Sequence, residues 1–108
     1  MTIVKYKGIT VNIGGEEYVI PPISLGALEQ LQEKISAFTG DLTSSAQVAS
    51  AIDVIHAALT RNYPGVTREA VAEMIDVGNM AEIFEAVMDV SGLKRKGAES
   101  GEVLPGKM

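Results

Sequence analysis

The spacing of apolar residues changes along this chain, from a strand period near the N-terminus to a helix period after it. Between Ile9 and Ile13 apolar and polar positions alternate, with Ile9, Val11 and Ile13 separated by Thr10 and Asn12, the pattern of a half-buried strand. Gly14 and Gly15 follow, a pair free to take the positive φ of a two-residue hairpin turn. Folding back across that turn sets Glu16 opposite Ile13, Tyr18 opposite Val11 and Ile20 opposite Ile9, which gathers the apolar side chains on one face. Upstream, Val4 and Tyr6 fall on even positions, so the parity changes at Gly8 and a bulge or bend is expected there. Pro21 and Pro22 end the second strand because neither donates a ladder hydrogen bond.

Helical spacing then takes over. Ser24 is placed to cap a helix carrying Leu25, Leu28, Leu31, Ile35 and Phe38 at three- and four-residue intervals, with Glu29, Gln30, Glu33 and Lys34 between them and Gly40 closing it. A second helix runs from about Ser45 to Tyr63, its apolar side formed by Val48, Ala51, Ile52, Ile55, Ala58 and Leu59, and "NYPG" stops it. Thr67 caps a short third helix with Val71, Met74 and Ile75 on one edge. Asn79 and Glu82 have capping-box spacing before a fourth, in which Ile83, Phe84, Val87 and Met88 form the buried side and Gly92 takes the C′ position. After Leu93 the periodicity ends in "KRKGAESGEVLPGKM", which predicts a disordered tail. The expected class is α+β: an N-terminal β-hairpin of two or three antiparallel strands packed on a bundle of three or four α-helices. Residues 1–93 form a single domain, 94–108 the tail, and the core is built on Leu28, Leu31, Ile52, Ile55, Leu59, Ile83 and Val87.

Composition narrows the chemistry. A chain of 108 residues buries roughly 60–65% of its unfolded surface, and with aromatics at 5% and no Trp the core must be aliphatic. A net charge of −5 repels phosphate backbones and anionic membranes, so neither nucleic acid nor membrane is the expected partner. The absence of Cys excludes thiol nucleophiles and thiolate metal sites. No apolar run approaches the roughly 18 residues of a membrane span, and a soluble cytoplasmic protein is expected.

Few residues suggest reactivity. "GEVLPGKM" matches most of a phosphate-binding loop, but Met108 stands where Mg²⁺ chemistry needs Ser or Thr, and no strand precedes the motif. His56, the lone histidine, has only Asp53 at helical spacing, too few ligands for a metal site. Glu69, Glu73, Asp76, Glu82, Glu85 and Asp89 lie opposite the apolar stripes, as on a solvated helix face. Lys94, Arg95 and Lys96 suit the C-terminal end of a helix dipole or an acidic partner patch. Met80 and Met88 are core filler able to adapt a surface to an irregular partner.

Three segments, "VIPPISLGALEQL", "ALTRNYPGVTREAVAEMID" and "VMDVSGL", resemble in order and spacing the small tail assembly chaperones of long-tailed bacteriophages and prophages. The resemblance covers about residues 9 to 93 and lies in caps and stops rather than in catalytic motifs. It implies a non-enzymatic protein of the host bacterial cytoplasm, without cofactor or metal, that binds the tape-measure protein and brings tail-tube subunits to it. The alternative is a minor structural component of the tail or connector, self-associating through the uncharged "ITVNI" edge. For partner binding, the apolar surface around the hairpin and the "NYPG" corner singles out Tyr18, Pro22 and Tyr63, since Tyr gives large contact area at small entropy cost. The resemblance also implies a longer product made by ribosomal slippage near Pro105, Gly106 and Lys107, for which the tail would serve as linker.

Overall fold

The computed structural model describes residues 6–93, and its architecture is α+β. Strands β1 (Ile9–Ile13) and β2 (Glu16–Ile20) form an antiparallel hairpin, followed by helices α1 (Leu25–Ala37), α2 (Ser45–Asn62), α3 (Arg68–Met74) and α4 (Met80–Val90). The register is the one the alternation predicts, Ile9 with Ile20, Val11 with Tyr18 and Ile13 with Glu16. Gly14 and Gly15 turn the chain at φ 62° and 88°, both positive as a type I′ turn demands. The tail, the basic triplet and the slippage segment lie outside the described residues, as does Val4.

Gly8 marks the parity change differently from a bulge. The chain bends at Tyr6 and β1 starts at Ile9. At Gly8 the backbone passes so near the end of β2 that a Cβ would lie 1.9 Å from the Ile20 carbonyl oxygen. A side chain there would collide with backbone, which is why the position is glycine.

Ser24, Ser44 and Thr67 cap α1, α2 and α3, each hydroxyl accepting from the backbone N–H three residues on. The expected Asn79–Glu82 box is absent, because Asn79 is already helical in conformation and makes no side-chain cap bond. The box sits three residues earlier: Asp76 Oδ1 accepts from Asn79 N at 2.9 Å, and Asn79 Oδ1 accepts from Asp76 N at 2.8 Å. The amide side chain faces back because the turn before α4 needs its donors satisfied first. At the other end Gly92 has φ 73°, with Leu93 N bonded to Met88 O at 2.7 Å and Gly92 N to Asp89 O at 3.1 Å. These two bonds are a Schellman motif.

The core lies where α2 meets the other elements. On α2 the residues Ala51, Val54, Ile55, Ala58, Leu59 and Asn62 are buried, and α2 contacts α1, α3, α4 and β2. Ile83, Val87, Met80, Phe84 and Met88 of α4, Val71 of α3, Val11, Ile13 and Ile20 of the hairpin and Ile23 after it also belong to it. The expected stripe on α2 is thus rotated toward Val54, since a helix covered on several sides buries more than one narrow face. Of the expected core, Ile55, Leu59, Ile83 and Val87 are buried, whereas Leu28, Leu31 and Ile52 are only half covered. No residue of α1 is fully buried, because this helix rides on one side of the bundle with a single large neighbour, α2.

That difference separates two substitutions that the sequence alone would treat alike. Ile55→Ala empties a fully covered site and is expected to lower unfolding stability by about 2–5 kcal/mol. Leu31→Ala, at a half-exposed position, is expected to cost about 1 kcal/mol. Urea denaturation of both checks this, and equal losses would contradict the placement of α1.

Candidate functional site

Tyr18 and Tyr63 meet where the last turn of α2 reaches the outer edge of β2, and Pro22, just past the end of β2, is tied to α2 through Arg61. In an antiparallel pair with a two-residue turn, alternate residues point their N–H and C=O away from the partner strand. On β2 one such residue is Val19, paired across with Thr10. Its groups are taken up by α2. Val19 N donates to Tyr63 Oη at 2.8 Å, and Asn62 Nδ2 donates to Val19 O at 3.1 Å. Asn62 is fully buried, and its amide also brackets Tyr6, accepting from Tyr6 N at 2.8 Å and donating to Tyr6 O at 2.9 Å.

The rings extend this junction. Tyr18 and Tyr63 pack edge to face at 5.3 Å, within the favoured range for aromatic pairs. Arg61 lies over the Tyr6 ring at 4.0 Å and donates from Nη1 to the Pro22 carbonyl at 2.6 Å. Desolvation, with Glu16 beside it, holds the Tyr18 phenol above its ordinary pKa, so the ring is neutral at physiological pH. All three singled-out residues are half-buried. The arrangement shows what sequence reading missed: Tyr63 has a structural duty through its hydroxyl, and Asn62, in the middle of "RNYP", is the buried polar residue on which the corner is built.

A second junction binds the helices. Asp53 accepts from Lys34 Nζ at 2.7 Å and from Arg68 Nε at 2.6 Å, so one carboxylate of α2 joins α1 and α3. Partial burial pushes its pKa up, but the bonds and charges of Arg68 and Lys34 outweigh this and hold it below the usual carboxylate value. His56 faces the Val66 carbonyl across 3.1 Å and fastens the loop before α3. The carboxylates Glu69, Glu73, Asp76, Glu82, Glu85 and Asp89 are all exposed. No group of three or more His, Cys, Asp and Glu side chains among the described residues is placed to hold a metal ion. No helix among them is long and apolar enough to cross a membrane.

Two apolar clefts lie elsewhere. One cleft of about 150 Å³ opens between α2, α3 and the loop after α3, walled by Val48, Ile52, Ile55, Ile75, Val77 and Met80. Another, of about 340 Å³, runs between α1 and α4, walled by Ile35, Phe38, Phe84, Met88 and Leu93, again with Met80. Phe38 and Phe84 stack there at 4.2 Å. Met80 is common to both, so its flexible side chain stands between two neighbouring hollows. The sequence held a signal for this surface in Val77, an apolar residue in a turn, which is 81% exposed.

Comparisons with protein-family models, curated proteins and solved structures found no match for this chain.

The Val19 contact yields a test in two variants. Tyr63→Phe keeps the ring and removes the acceptor of Val19 N–H, at an expected cost of about 1 kcal/mol. Asn62→Ala removes a buried amide and leaves three partly buried backbone groups, Tyr6 N, Tyr6 O and Val19 O, without it, and is expected to cost about 2–4 kcal/mol. Thermal or urea unfolding checks the order, and an Asn62→Ala protein as stable as wild type would contradict the junction.

Proposed function

We propose that this protein is a phage tail assembly chaperone, a non-enzymatic binding protein that holds the helical tape-measure protein and helps bring tail-tube subunits to it. The observation that carries this reading is the pair of apolar clefts meeting at Met80. An amphipathic helix laid across such hollows buries side chains from one face while its polar face stays in water. The resemblance of "IPPISLG", "RNYP" and "VMDVSGL" to that family supplies the identity of the helix, and the acidic exterior keeps such a complex in solution. Tyr18, Pro22 and Tyr63 are a further contact in this reading, through their rings, since the Tyr63 hydroxyl is already engaged by Val19.

Co-expression with the tape-measure protein of the same phage and affinity capture tests the proposal. A stable complex is expected, together with absence of the chain from purified virions by mass spectrometry. A failure to capture the tape-measure protein would contradict it, and retention in finished particles would favour a structural tail component.

A further inference from the structure

The two clefts are apolar inside and acidic at the rim. Asp76 lines one and Glu85 the other. Asp41 stands on the loop between Gly40 and Leu42, residues that line one cleft each, and is exposed. Hydrogen bonds from the side chain and backbone of Thr43 hold the Asp41 carboxyl below its usual pKa, so it is charged at neutral pH. Among the described residues, no basic side chain lines either cleft. The basic residues between Tyr6 and Leu93 are Lys7, Lys34, Arg61 and Arg68. Lys34 and Arg68 are joined to Asp53, and Arg61 is joined to Pro22 and stacked on Tyr6.

We infer that the two clefts form one docking groove for an amphipathic helix whose apolar face is flanked by Lys or Arg. Apolar side chains at i and i+4 or i+7 fill the hollows on either side of Met80, whose thioether side chain adapts to their shape. The flanking cations meet Asp41, Asp76 and Glu85, and they supply the counter-charge that the described lining lacks, which speeds encounter and discriminates against acidic helices. Val77 and Val48, 81% and 36% exposed, are apolar positions of the rim over which the helix enters. The inference rests on the clefts as the binding surface of the proposed function and extends it to the chemistry of the partner.

The test uses synthetic helical peptides and the full chain. Two peptides of about 18 residues share one leucine face at i, i+4, i+7 and i+11, one flanked by Lys and the other by Glu. Fluorescence anisotropy at low salt is expected to show the Lys-flanked peptide binding at least about tenfold more tightly, with the preference shrinking as salt screens the rim. Val77→Lys and Val48→Lys are each expected to weaken it at least about tenfold, while Leu25→Lys, at an 83% exposed position outside both clefts, leaves it unchanged. Unaltered thermal unfolding shows that the variants are folded.

Equal affinity for the two peptides, or wild-type affinity in both cleft variants, would overturn the inference. So would a tenfold gain on reversing the charges of Lys94, Arg95 and Lys96, which would make the chain's own tail the occupant. Self-association in sedimentation that Val77→Lys abolishes would assign the groove to a second copy and overturn it as well. Peptide binding without capture of a tape-measure protein would refute the phage role and leave the groove's chemistry standing.

Discussion

A single buried amide decides how this small domain holds together. An isolated two-stranded hairpin is marginal in water, and the two strands that the sheet has among the described residues, β1 and β2, need a partner to fix them. Asn62 provides that partner from the last turn of α2. Its side chain takes the place of a third strand, bonding both backbone groups of Tyr6 and the outward carbonyl of Val19. Tyr63 completes the set by accepting from Val19 N. A buried polar group is tolerated when it is hydrogen-bonded and is costly otherwise, so this end of α2 has one low-energy way to meet the hairpin. Gly8 belongs to the same arrangement. Only a residue without Cβ lets the chain pass close enough to Ile20 to bring Tyr6 to Asn62.

With the hairpin fixed at one end of α2, the remaining helices are arranged around its length. Asp53 draws in α1 and α3 through Lys34 and Arg68. Ser91 accepts from Ile23 N at 3.0 Å, tying the end of α4 to the approach to α1. Gln47, near the start of α2, accepts from Thr39 N at 2.7 Å and donates to Ala37 O at 3.1 Å, which anchors the far end of α1. Helix α1 is therefore held by polar ties along its length and by the Phe38–Phe84 stack, more than by deep burial. That shallow seating leaves apolar surface between α1 and α4, continued past Met80 toward α2 and α3.

The hairpin, its register and the caps at Ser24, Thr67 and Gly92 were legible in the sequence because each depends on neighbours a few residues away. Period-two alternation with Gly-Gly leaves one register that buries Val11 and Ile13 together. The misreadings share a cause. Asn79–Glu82 has the spacing of a capping box, but Asp76, three residues upstream, has it too, and spacing does not say which pair faces the open turn. Leu31 and Ile55 have the same place in their apolar stripes, yet only the packing of α2 among four elements covers one and leaves the other half open. Asn62 was hidden for a similar reason: its partners lie more than forty positions away, beyond any local pattern. Of the candidate site, Tyr18, Pro22 and Tyr63 could be named from the hairpin and the "NYPG" turn, the contact between the two tyrosines could not, and the clefts were visible only as the stray apolar Val77.

Amide hydrogen exchange resolved by residue tests the role of Asn62 most directly. Val19 lies on an outer strand edge and Tyr6 precedes the first strand, positions that ordinarily open with little free energy. With both amides bonded to α2, they are expected to exchange only through openings close in free energy to global unfolding. In Tyr63→Phe, Val19 should lose that protection while Tyr6 keeps it. Exchange of both amides in the wild-type protein at rates typical of an open loop would contradict the account.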